Sequence, residues 1–94
     1  MTITVTLIQT RPNIDVDFHS ASDDFKALKT EMVAAGTLVD NGGSTSEDGL
    51  IRTWTLTFSN DTAHSAYLND SRNVSYIEDR QTYNGVNDIS EQIS

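Results

Sequence analysis

The residues able to do acid–base or ligand chemistry are few. His19 and His64 are the chain's two histidines, and each has acidic neighbours. Asp15 and Asp17 alternate with His19 on one extended stretch, and Asp61 precedes His64 by one helical turn. Imidazole with carboxylate suits several transition metals. An acidic chain, however, puts carboxylates near most histidines by composition, and Asp61 has a competing task as a helix cap or first-turn acid. No metal site is therefore assigned, and no cofactor is expected. His64-Ser65 and His19-Ser20 pair a base with a hydroxyl, but neighbouring side chains on a strand or helix point apart and cannot exchange a proton by adjacency. There is no Gly-x-Ser-x-Gly turn to expose a serine nucleophile. Asp40-Asn-Gly-Gly-Ser-Thr-Ser-Glu-Asp-Gly49 is acidic and glycine-bearing but lacks the ligand spacing of a calcium loop, so it reads as an exposed hairpin. The aromatic side chains Trp54, Phe58, Tyr67, Tyr76 and Tyr83 remain. Trp54 and Phe58 have a core role that needs no ligand, and Tyr76 or Tyr83 suits a subunit interface. If the chain has a ligand pocket, Trp54, His64 and Tyr67 are the candidates to line it, with His64 and Tyr67 as the polar groups that catalysis would use.

Composition narrows the classes. Fourteen acidic residues against six basic ones give a net charge of −8 over 94 residues, with a sequence pI near 4.3. Phosphate backbones are repelled by such a chain, and Arg11, Lys26, Lys29, Arg52, Arg72 and Arg80 are scattered in sequence, which argues against nucleic-acid binding. The absence of cysteine removes disulfide scaffolds, thiolate metal sites and cysteine nucleophiles together. Met1-Thr-Ile-Thr-Val-Thr-Leu-Ile8 alternates rather than running apolar, so it does not read as a signal peptide. No segment reaches the length of a membrane span, and a cytoplasmic setting is expected. A chain of this size should bury roughly 65% of its unfolded surface, enough for a single domain over residues 1–94.

The elements that must position these groups follow from periodicity. Ile3, Val5 and Leu7 alternate with Thr4, Thr6 and Thr10, predicting a half-buried first strand. Arg11-Pro12-Asn13 ends it, because proline cannot donate to a ladder. Ile14-Asp-Val-Asp-Phe18 alternates again, predicting a short edge strand or an extended connection with its apolar side inward. Ser20-Ala-Ser-Asp23 supplies cap candidates for a helix over residues 22–35, with Phe25, Leu28, Met32 and Ala35 on one face and Gly36 as its stop. The polar stretch 37–49 carries turn signals at Asn41-Gly42-Gly43 and Asp48-Gly49, so any strand there must be bent or bulged. A hairpin is expected to turn at Asp48-Gly49, with Asn41-Gly42 as the alternative. Residues 50–58 form a strong strand, with Leu50, Arg52, Trp54, Leu56 and Phe58 on one face and Thr53, Thr55 and Thr57 on the other. Asn60-Asp61-Thr62 starts a second helix, broken or kinked near residues 69–73 and resuming with Val74, Tyr76 and Ile77 to about Tyr83, where Asn84-Gly85 ends it. The tail 86–94, with Ile89 and Ile93, forms a weak edge strand or frays.

This order predicts an α+β, ferredoxin-like βαββαβ sandwich, an antiparallel sheet with two helices on one face. Thr4, Thr6, Ile8, Thr53, Thr55 and Thr57 then line the second face, polar enough to be wet and β-rich enough to pack on another sheet. The element order and the stretch Thr53-Trp-Thr-Leu-Thr-Phe-Ser-Asn-Asp-Thr-Ala-His-Ser-Ala-Tyr-Leu68 make the chain similar to the dimeric α+β barrel superfamily, which includes the antibiotic biosynthesis monooxygenase-like proteins. No catalytic motif of that family matches residue by residue, so no active-site residue carries over. The resemblance implies a homodimer formed through the sheet face and a pocket for an aromatic or polyketide-like small molecule. The 69–73 break and the ending Tyr83-Asn-Gly-Val-Asn-Asp-Ile89 also resemble small proteins of tailed phages of marine bacteria, which would place the chain in a host cytoplasm or a virion.

Two functions follow as expectations. The first is a non-enzymatic, self-associating interaction or structural domain, motivated by the missing catalytic constellation and the threonine-rich face. The second is a small-molecule-binding protein or enzyme like the monooxygenase-like barrels, with its pocket between helices and sheet.

Overall fold

The computed structural model describes residues 1–94. Strand β1 (Ile3–Thr10) leads to helix α1 (Asp23–Ala34), then β2 (Leu38–Thr45) and β3 (Ile51–Phe58), helices α2 (Asp61–Asn69) and α3 (Ser71–Val86), and β4 (Ser90–Ile93). The sheet has the order β2-β3-β1-β4 with every neighbouring pair antiparallel. This is an α+β, ferredoxin-like sandwich.

The helix boundaries follow from side chains that compete for backbone donors. The Ser22 hydroxyl accepts from the Phe25 N–H at 3.3 Å, and Asp23 and Asp24 occupy the first turn of α1, where acids favour the helix dipole. Gly36 takes the left-handed φ of +79° that ends α1. Asn60 Oδ1 accepts from the Ala63 N–H at 2.8 Å and starts α2. The expected break falls on Asp70, which closes α2 and caps α3 together: its backbone N–H donates to the Tyr67 carbonyl, and its side chain accepts from the Arg72 N–H at 2.9 Å. The hairpin turns over residues 46–49, and β2 is irregular between Asp40 and Gly43 as its glycines require.

Four expectations need correction. Residues 14–18 form no edge strand, and Ile14 is exposed rather than inward-facing, because Arg11 donates to the Val16 carbonyl and curls the segment into a turn. Helix α3 runs past Asn84-Gly85 to Val86, because Asn84 is tied into a buried hydrogen-bond network instead of capping the helix. The buried positions of α3 are Asn73, Arg80 and Asn84, while Val74 is exposed. Ala35, read as an apolar-face position, is also exposed. The tail is an ordered edge strand, with Ile89 buried beneath it.

Register divides the sheet cleanly. Ile3, Val5, Leu7 and Gln9 on β1 face the helices together with Arg52, Trp54, Leu56 and Phe58 on β3. The core proper is small and lies at the Phe58 end, where Leu38, Phe58 and Ala63 are buried against Ile3, Val5, Met32, Leu56 and Tyr67. At the opposite end α3 is held by polar contacts. Asn84 donates to Gln9 Oε1 and to Glu91 Oε2, both at 2.9 Å, and Arg80 Nε donates to the same Glu91 oxygen at 2.8 Å. The other sheet face carries Thr4, Thr6, Ile8 and Thr10 opposite Thr57, Thr55, Thr53 and Ile51, flanked by Val39, Ser44, Ser90 and Gln92. No charged residue stands on it, and no helix covers it. No helix is long and apolar enough to cross a membrane.

Candidate functional site

Between the helices and the sheet lies a cavity of about 740 Å³, within the range usual for small-molecule sites. Its floor is Leu7, Trp54 and Leu56, and Phe25 and Tyr76 stand in its helical roof. The Phe25 and Tyr76 rings are stacked, with centroids 3.9 Å apart and planes at 15°. The space lies between the Phe58 cluster at one end of the sandwich and the polar network that holds α3 at the other.

Trp54 owes its position to Gly43. A β-carbon at Gly43 would come within 2.8 Å of the indole Cε2, so the missing side chain lets the ring lie against β2. Lys29 bridges this wall, its ammonium 5.3 Å from the Trp54 ring and 5.4 Å from the Phe25 ring. Lys29 also binds Asp40 at 3.0 Å. Burial acts to raise the Asp40 carboxyl, but the Gly42 N–H and the Lys29 ammonium outweigh it and hold the group below the usual carboxylate range.

His64 and Tyr67 both reach the cavity from α2. The His64 ring sits 5.0 Å from Phe58, and Tyr67 lies 4.9 Å from Phe58 and edge-on to Phe25. Burial pushes the Tyr67 hydroxyl well above the ordinary phenol range, which makes it a neutral hydrogen-bonding group and a poor general base. The structure thus brings Trp54, His64 and Tyr67 to one cavity. Phe58, at 0% exposure, is core; Trp54 is the cavity floor rather than a fully enclosed core residue.

His19 also lines the cavity, from the connection between β1 and α1, its ring near Tyr76 and Tyr83. Its Nδ1 is buried and finds no protein partner. None of the four ion pairs includes a histidine, and no three metal-ligating side chains come together. The Tyr83 hydroxyl donates to the Asp17 carbonyl at 2.6 Å, pinning this connection to α3. Tyr76 and Tyr83 are therefore both engaged within the protomer. The 40–49 stretch is half strand and half turn, and Asp48 is spent on the Ser46 hydroxyl and the Leu50 N–H.

Sequence reasoning missed the basic residues. Lys26, Lys29, Arg52 and Arg80, scattered along the chain, converge on the cavity, and no aspartate or glutamate lines it. The available signal was Arg52 sharing the apolar face of β3 with Trp54, Leu56 and Phe58. Asn73 was missed too: it stands in the cavity wall at 0% exposure, and neither amide atom has a protein partner. Comparison with protein-family models, curated proteins and solved structures finds no match to this chain.

Proposed function

We propose that this chain is a small-molecule-binding protein of the dimeric α+β barrel type, holding a flat, largely apolar ligand between the sheet and the Phe25–Tyr76 stack. The cavity bordered by Trp54, His64 and Tyr67 carries this reading. The neutral Tyr67 hydroxyl and the unpaired imidazole of His64 favour roles as hydrogen-bonding handles over proton abstraction. Because Trp54 is the chain's single tryptophan, its indole N–H gives one NMR signal that reports on the cavity floor. Titration of two-ring aromatic fragments should move that signal saturably, together with Tyr67 and Tyr76. Fragments that leave all three unmoved would refute the reading.

The bare sheet face favours a second, compatible reading: self-association, with this protein as an interaction or structural domain. A chain of charge −8 repels its own copies, and an uncharged β-branched face is where two copies meet at least electrostatic cost. Val39, 59% exposed, and Ile51 would be covered by that contact. A phage-encoded protein acting in a host cytoplasm or in the virion fits this reading. Light scattering should give a dimer mass at micromolar concentration, and Thr55→Lys, which puts a charge in the middle of the face, should give a monomer. A strict monomer in the unaltered protein would sink the idea.

A further inference from the structure

Three of the six basic side chains, Arg11, Lys26 and Arg52, have no carboxylate partner, although acids outnumber bases by more than two to one. Lys26 and Arg52 line the cavity. The other two basic groups there are already balanced, Lys29 by Asp40 and Arg80 by Glu91. The cavity wall is therefore left with two uncompensated positive charges in a chain that is strongly negative overall. Arg52 makes only long contacts to the Thr45 hydroxyl, at 3.3 and 3.4 Å. Its guanidinium carbon lies 5.3 Å from the Phe18 ring, and that of Arg11 lies 4.6 Å from the same ring. Phe18 also lines the cavity. One end of the site is thus an aromatic ring flanked by two guanidiniums, one of them with donors to spare.

We propose that the ligand is an organic anion: a flat apolar body lying over Trp54, with a carboxylate-class group bound by Arg52 beside Phe18. A planar fork of donors on a partly buried guanidinium matches a carboxylate in two-point geometry. The apolar floor favours the rest of the molecule, and a fully hydrated inorganic anion would gain nothing from it. This inference rests on the cavity being a ligand site.

The test uses a matched pair of probes, 2-naphthoate and its neutral amide 2-naphthamide, titrated into the full chain while the Trp54 indole N–H signal is followed. Naphthoate should bind about ten- to a hundredfold more tightly than the amide, the range expected for one charge-assisted hydrogen-bonded pair. Arg52→Gln should remove most of that gap, weakening naphthoate far more than the amide, and added salt should narrow it. Lys26→Gln, at an exposed helix position, should narrow the gap less and serves as the second variant if Arg52→Gln does not fold. Equal affinity for the two probes, or a preference that survives Arg52→Gln unchanged, would overturn the anion inference while leaving the cavity as a binding site. Failure of both probes to bind would instead overturn the ligand-site reading, and this inference with it.

Discussion

Two buried asparagines on one helix make opposite predictions. Asn73 has both amide atoms sealed in the wall without a protein partner. Asn84 donates to Gln9 and Glu91, both at 2.9 Å. Burying an amide without hydrogen bonds costs about 1–3 kcal/mol in proteins. Asn73→Leu removes that cost, and the added volume has the cavity beside it. This substitution should stabilise the protein by about 1–3 kcal/mol. At about 4–8 °C per kcal/mol for a domain of this size, Tm should rise by roughly 4–24 °C. Asn84→Leu does the reverse. It strands Oε1 of Gln9, a residue 3% exposed, and removes a donor from a carboxylate, while also relieving the buried, unpartnered Asn84 Oδ1, so a net loss of about 1–3 kcal/mol is expected. Both variants exchange the same residue types within α3, so the gain in helix propensity is shared, and the difference between them isolates the hydrogen bonding. Paired thermal melts at one pH and protein concentration suffice. The reasoning is refuted if Asn73→Leu is less stable than the unaltered protein, since the amide would then have a partner worth keeping. An Asn84→Leu variant as stable as Asn73→Leu would refute it equally.

Gly43→Ala should cost about 1–3 kcal/mol, because the new methyl meets the indole face rather than a flexible chain end. It should also shift the Trp54 emission; unchanged Tm and emission would contradict the placement of the ring. On acidification, the Glu31, Asp40, Asp48 and Asp70 carboxyls are all held below their ordinary values in the folded chain. Their contribution is therefore fully present above the unfolded carboxylate range near pH 4 and is lost as pH falls through the lower folded values. Melts from pH 7 down to about pH 3 should show a plateau and then a decline, shallow because these groups lie at the surface, where solvent screens them. A Tm that rises monotonically on acidification would contradict the sign.

Much of the fold was legible because local periodicity and punctuation agree. Alternating threonines and aliphatics in residues 3–10 and 51–58 admit one pairing of faces, and Ser22, Asn60 and Gly36 mark helix ends through bonds and dihedrals that involve only near neighbours. The break near Asp70 was legible for the same reason. Helix α3 was legible only in part: Tyr76 and Ile77 do face inward, but Val74 does not, and the most deeply buried positions of that face are the polar Asn73, Arg80 and Asn84. Arg80 and Asn84 can be inward because Gln9 and Glu91, brought alongside by strand pairing, supply partners that make their burial tolerable, whereas Asn73 is buried without one.

The candidate site divides in the same way. Sequence by itself marked Trp54, His64 and Tyr67, since a strand running directly into a helix keeps them within one local unit. Tertiary structure alone decided that they border open space instead of a filled core. It also decided that Lys26, Lys29, Arg52 and Arg80 meet around that space with no acid lining it. Spacing along the chain carries no information about such convergence, because it depends on how far the helices stand from the sheet and on which charges find partners across it.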